Sequence, residues 1–139
     1  MKPSFILDCS MTMAWCFADE STPEVIQIQE RLAAEAALVP AHWILEVTNV
    51  LAMAEKRKRL SSEDSIQFVK LLSVLDIQID EESSRRPLGY LLPFCRTYNL
   101  TSYDAVYLDL VLKEKLPLAS LDDDLRKAAI SLGVQVLGK

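Results

Sequence analysis

The chain alternates short apolar runs with longer amphipathic stretches. Residues 4–7 (SFIL) form an apolar run that stops at Asp8 and predicts a buried strand. Residues 10–18 (SMTMAWCFA) predict a short helix with Ser10 as its cap. Residues 21–37 open on Ser21, Thr22 and Pro23, a helix-start signal. Residues 38–39 then leave room for a minimal strand before Pro40. Along 40–59, Trp43, Val47, Val50, Leu51 and Ala54 fall on one face at helical spacing. The closing KRKR suits a helix C-terminus, where the macrodipole favours cations.

Residues 61–75 predict a helix that begins with a capping box, Ser61 with Asp64 or Ser62 with Ser65 being the two frames. Residues 77–79 alternate and predict a strand. Residues 83–99 are read as helical although Pro87, Gly89 and Pro93 interrupt them. The remainder reads as a helix over 101–115, a strand over 116–120, a helix over 122–133 that stops at Gly133, and a last strand over 134–136. Short apolar strands separated by helices predict an α/β protein. Its sheet is mostly parallel, of about five short strands, covered on both faces and linked by right-handed crossovers. No internal repeat or low-complexity segment interrupts the pattern.

Composition narrows this picture. A chain of 139 residues fits one domain, 1–139, and three glycines with six prolines leave no long flexible linker. The net charge of −5 argues against a broad nucleic-acid surface. That objection weakens if several acids gather on a divalent ion, which inverts the local charge logic. The three cysteines, Cys9, Cys16 and Cys95, are odd in number and form no Cys-x-x-Cys. They predict small core residues and a reducing cytoplasm rather than a disulfide scaffold. The one histidine, His42, excludes a multi-histidine zinc site within the chain. The opening FILDCSMTMAWCFA is only faintly leader-like, because Asp8 breaks it and no clean cleavage site follows. No run approaches the ~20 apolar residues of a membrane span, so a soluble, cytoplasmic protein without membrane association is expected.

Four acids sit at telling places. Asp8 and Asp122 each follow a predicted strand, and ligands of open α/β sheets bind beyond the carboxyl ends of strands. If those two strands are neighbours, the two acids meet at one sheet edge. Glu46 lies at the border of its helix's apolar stripe, where a half-buried carboxylate needs a cation or donors. Asp104 fits a capping box with Thr101, yet Tyr103, Val106, Tyr107 and Leu110 are predicted to pack around it. Each acid also has a plainer reading, as a strand end, a helix cap or a solvated charge. Taken together they form an oxygen-rich, histidine-poor set that suits Mg²⁺ or Mn²⁺. Ser10 and Ser120 stand two residues from Asp8 and Asp122 and could orient ligands or waters.

On these residues the chain resembles PIN-domain ribonucleases, specifically VapC-type toxins of bacterial toxin–antitoxin pairs. FILDCSMTMAWCFADE resembles the family's opening strand and acid. VPAHWILEVTNVLAMAEKRKRLS resembles the helix that carries the family glutamate, here Glu46, with Asn49 three residues on. The segment from Asn99 to the C-terminus resembles the part that carries the third and fourth acids, here Asp104 and Asp122, with Asp124 as a second candidate for the fourth. The resemblance implies a three-layer α/β/α fold, Asp8, Glu46, Asp104 and Asp122 around one or two Mg²⁺ or Mn²⁺ ions, and hydrolysis of an RNA phosphodiester by water. It also implies a homodimer inhibited by a cognate antitoxin.

An RNA backbone needs cations near such acids. The candidates are Lys56, Arg57, Lys58, Arg59, Arg85, Arg86 and Arg126, and no aromatic stacking platform is evident. Rival readings are an RNA-processing nuclease without an antitoxin, a phosphatase of the haloacid-dehalogenase type, and a non-catalytic acidic binding module. The phosphatase chemistry calls for a second aspartate two residues after the first, a position held here by Ser10.

Overall fold

The computed structural model describes residues 1–139. Five parallel strands, β1 (Pro3–Leu7), β2 (Ala36–Pro40), β3 (Ile77–Asp80), β4 (Leu118–Ala119) and β5 (Val136–Leu137), form one sheet in the order β3-β2-β1-β4-β5. Seven helices flank it: α1 (Cys9–Ala14), α2 (Pro23–Arg31), α3 (Trp43–Lys56), α4 (Ser62–Val74), α5 (Leu92–Tyr98), α6 (Ser102–Glu114) and α7 (Asp123–Ser131). This is the expected three-layer α/β/α arrangement. The chain winds outward from β1 to β3, then returns to the other side of β1 to lay down β4 and β5. The carboxyl ends of β1 and β4 therefore flank the point where strand order reverses, the usual ligand crevice of open sheets.

The core follows from the apolar runs. Phe5, Ile6, Leu7, Leu118 and Ala119 are buried along the inner strands, and α6 packs across β1 and β2 with Tyr107, Leu108, Leu110 and Val111 inside. Val47, Leu51 and Ala54 of the predicted helical face are buried with Trp43, while Val50 is partly covered. No helix is long and apolar enough to cross a membrane.

Several local expectations are corrected. Residues 83–99 do not form one helix. A 3₁₀ turn (Glu82–Arg85) leads into an irregular stretch, and a helix begins only at Leu92. Pro87 cannot donate to a helix ladder, Gly89 takes φ +90°, and Pro93 fits the first turn of the late helix. Strand β2 is longer than predicted. Ala36 and Ala37, good helix formers, are fully buried between β1 and β3, so sheet pairing overrides propensity. The preceding helix accordingly stops at Arg31. The first short helix is capped by Asp8, not Ser10, and ends at Ala14. Of the two capping frames at α4, Ser61 with Asp64 forms, with both reciprocal bonds present.

Candidate active site

Parallel register builds the centre of the site. Leu7 pairs with Ala119, so Asp8 and Ser120 emerge side by side beyond the strands. Asp8 is 3% exposed and satisfies its carboxylate entirely with neutral donors. Ser10 Oγ donates to Oδ1 at 2.7 Å and Oδ2 at 2.9 Å, the Met11 amide donates to Oδ1 at 2.9 Å, and Ser120 Oγ donates to Oδ2 at 2.6 Å. Each serine is also an acceptor. Ser10 Oγ accepts from the Leu121 amide, and Ser120 Oγ from the Asp122 amide. The two hydroxyls thus tie Asp8 to the turn that carries Asp122. Asp122 caps α7 by accepting from the Leu125 amide at 2.8 Å. Asp124 lies in the first turn of that helix and is exposed.

The other two acids arrive on helices. Thr12 Oγ1 accepts from Trp43 Nε1 at 3.0 Å, which fixes the start of α3 against α1. Glu46 lies one turn further along α3. Its Oε1 accepts from Tyr107 Oη at 2.6 Å and lies 3.2 Å from His42 Nε2. Asp104 is partly buried in the first turn of α6. Its amide donates to Thr101 Oγ1, but the return bond that would complete a capping box is not made. Tyr103 does not pack around Asp104 as expected. It is 62% exposed, whereas Tyr107 and Leu110 are buried.

The electrostatics show that these acids share one region. Burial pushes the Asp8 carboxyl up to about 6 against its own hydrogen bonds, with Asp104 adding to the rise. Burial, then the charges of Asp122 and Glu46, push Asp104 up to about 6 as well. Burial, followed by Glu46, Asp8 and Asp104, raises the Cys9 thiol, which favours its neutral form. The acids are gathered in charge but not closed in distance. No three His, Cys, Asp or Glu side chains stand close enough to hold an ion as they lie. The donor set is nonetheless the kind a hard cation takes: carboxylates with adjacent hydroxyls, the one nearby imidazole being engaged by Glu46 and the Tyr103 carbonyl. A buried carboxylate without a counter-ion, Asp8, is the observation that makes the fit.

The remaining predicted residues divide. Ser10 and Ser120, expected to orient ligands or waters, both donate to Asp8. Asn49 is exposed and makes no side-chain hydrogen bond to the acids. Lys56 and Arg57 are exposed and in no ion pair, but lie about ten residues beyond Glu46, ~15 Å along the helix axis. Lys58, also exposed, follows α3 with φ +60°. Arg59 pairs with Asp19 and Glu20 over the Phe17 ring. Arg86 pairs with buried Asp109, and Arg126 donates to the carbonyls of Ser120, Leu137 and Lys139. Neither is free for a phosphate. Arg85 is exposed and in no ion pair. The sequence reading missed His42 and Tyr107 as partners of Glu46. The signals were present: His42 is four residues before Glu46 and Tyr107 three after Asp104, both helical-neighbour spacings.

A protein-family model described as PIN domain matches residues 5–131. The structure is similar to PAE2754 from Pyrobaculum aerophilum, with TM-score 0.68 and 22% identity over 96% of this chain and 83% of that one. It is similar to FitAcB from Neisseria gonorrhoeae, with TM-score 0.64 and 15% identity over 95% of each chain. It is also similar to Mycobacterium tuberculosis VapC20, a sarcin-ricin loop cleaving toxin, with TM-score 0.57 and 12% identity over 90% of this chain and 95% of that one. At these identities the likeness is one of fold. A search of curated protein sequences finds no match.

Proposed function

The chain belongs to the PIN domain family, and from that premise we propose that it is a divalent-metal-dependent endoribonuclease, the toxin of a toxin–antitoxin pair. The observation that carries this reading is Asp8. It is buried at the reversal point of the sheet, bonded only to neutral donors, with the charge of Asp104 acting on it and those of Asp122 and Glu46 acting in turn on Asp104. One of the structural neighbours, VapC20, is a cleaving toxin, which favours the same role here.

Asp8, Glu46, Asp104 and Asp122 would hold Mg²⁺ or Mn²⁺, which supplies a Lewis acid for a phosphoryl oxygen and a water acidic enough to attack phosphorus. Ser10 and Ser120 keep both Asp8 oxygens oriented. Asp104, partly solvent-accessible at the start of α6, is placed to help deprotonate the attacking water. The proposal includes a cytoplasmic setting, a homodimer and inhibition by a cognate antitoxin, as the VapC-type resemblance implies. Of the candidate cations, Lys56, Arg57, Lys58 and Arg85 are left for RNA.

The test is cleavage of a fluorophore–quencher RNA by the purified chain in Mn²⁺, in excess chelator, and by Asp8→Asn. Cleavage confined to wild type with Mn²⁺ is expected. No cleavage, together with no Mn²⁺-dependent rise in melting temperature, would leave a non-catalytic acidic binding module.

A further inference from the structure

Glu46 differs from the other acids in how it is held. Asp8 and Asp122 accept backbone amides of their own turns, and Asp104 is a short side chain in the first turn of its helix. Glu46 has a longer side chain, is a quarter exposed, and stands in the first turn of α3 without making a cap bond. Left alone it would sample many rotamers. Two side chains from different elements prevent this, and both act on the same oxygen. Tyr107 Oη donates to Oε1 at 2.6 Å, the short length of an O–H bond to a charged acceptor. His42 Nε2 lies 3.2 Å from Oε1 and 3.1 Å from the Tyr103 carbonyl oxygen. The hydrogen bond of that nitrogen runs to the Tyr103 carbonyl, so Nε2 carries the hydrogen, and Glu46 Oε1 lies beside it at ion-pair distance. The two rings also meet edge to face at 5.2 Å, so each buttresses the other. Oε2 of Glu46 has no hydrogen-bond partner in the chain.

We infer that Tyr107 and His42 are positioning residues that anchor Glu46 by Oε1 and reserve Oε2 for the divalent ion. The inference rests on the nuclease reading and deepens it. Tyr107 and the Tyr103 carbonyl both belong to α6, the helix that carries Asp104. The clamp therefore also sets the spacing between Glu46 on α3 and Asp104 on α6. Its purpose is pre-organisation: a ligand oxygen fixed before the ion arrives need not be ordered by it.

The test is an Mn²⁺ titration followed by thermal unfolding, which reads binding without activity. It compares wild type, Glu46→Gln, Tyr107→Phe, His42→Leu and His42→Gln. Loss of an outer-shell partner typically weakens metal affinity ~10-fold to 100-fold, so Tyr107→Phe and His42→Leu should each raise the Mn²⁺ midpoint ~10-fold. His42→Gln retains an N–H donor and should stay much nearer to wild type. RNA cleavage at fixed, subsaturating Mn²⁺ should fall in parallel through kcat, with KM for RNA unchanged. If Tyr107→Phe and His42→Leu lower the metal-free melting temperature but leave the midpoint in place while Glu46→Gln moves it, the contacts are packing and the clamp is wrong. If wild type itself shows no midpoint, the nuclease reading fails and takes the clamp with it. Should Tyr107→Phe not fold, the Leu and Gln variants of His42, at the rim of the site, decide the question between them.

Discussion

Asp8 and Asp109 are both buried, at 3% and 5% exposure, yet the chain surrounds them in opposite ways. Asp109, on α6, receives a two-pronged guanidinium from Arg86 at 2.8 and 3.1 Å, and Arg86 in turn lies over the Tyr90 ring. That pair pins the irregular stretch between the 3₁₀ turn and α5 to the body of the protein. Asp8 receives hydroxyls and an amide but no cation. A buried acid that serves only the fold brings its own counter-ion, because an uncompensated charge is costly. A buried acid left without one, beside three more acids, keeps a place for an ion from outside. The difference between these two aspartates separates structure from function more sharply than burial does.

Neutralising each acid's environment should therefore have opposite consequences. Asp8→Asn keeps the helix cap and the shape but removes the charge, so RNA cleavage should drop to the chelator background. Its metal-free stability should rise. The folded-state pKa near 6 lies above the ordinary 3.8, so between these values the folded chain binds more protons than the unfolded one and loses stability as pH rises. The advantage of Asp8→Asn over wild type should vanish below the ordinary value of 3.8 and reach at most about 3 kcal/mol above pH 6. Denaturant unfolding in chelator at several pH values measures it. Saturating Mn²⁺ should reverse the order of the two proteins, since the ion stabilises only the protein that binds it. A flat difference across pH would mean that Asp8 carries no buried charge.

Arg86→Ala tests the other half. Removing Arg86 leaves the buried Asp109 charge without its counter-ion, so stability should fall, though by less than for a fully buried pair because Arg86 is a third exposed and water can replace it. Replacing both partners by apolar residues, Arg86→Met with Asp109→Leu, should recover most of that loss. In both proteins the Mn²⁺ response should be that of wild type. A shifted response would show that the pair serves the acid site and not only the neighbouring loop.

The same contrast explains what the sequence could and could not reveal. Asp8 and Asp122 were legible because each closes an apolar strand, and Ser10 and Ser120 because they stand two residues from them. Only the adjacency of the first and fourth strands had to come from the structure. The Arg86–Asp109 pair was not legible. It joins residues 23 apart, across a segment whose prolines and glycine were outweighed by an apparent helical pattern. Arg86 and Arg126 looked free for phosphate because sequence shows a charge but not its partner. Glu46 was placed at the stripe edge correctly, yet its main donor, Tyr107, is 61 residues away. Local pattern predicts which residues need a partner, and topology supplies the partner.

The smallest effect bears on Asp104 and its twin. Asp64 and Asp104 occupy the same third position of helices capped by Ser61 and Thr101. At α4 the box closes: Asp64 Oδ2 accepts from the Ser61 amide at 3.0 Å, and that bond holds the Asp64 carboxyl below its ordinary value. At α6 it stays open, and burial with Asp122 and Glu46 nearby drives Asp104 the other way. A capping acid is stabilised by being charged, whereas a site acid without its ion is destabilised by it. Asp64→Asn should thus lower metal-free stability and leave the Mn²⁺ midpoint alone. Asp104→Asn should raise metal-free stability at pH 7 by about 1 kcal/mol, its partial exposure tempering the shift, and should abolish the Mn²⁺ response. If Asp104→Asn behaves like Asp64→Asn in the same unfolding experiment, Asp104 is a cap, and the metal site would have to be built from the other three acids.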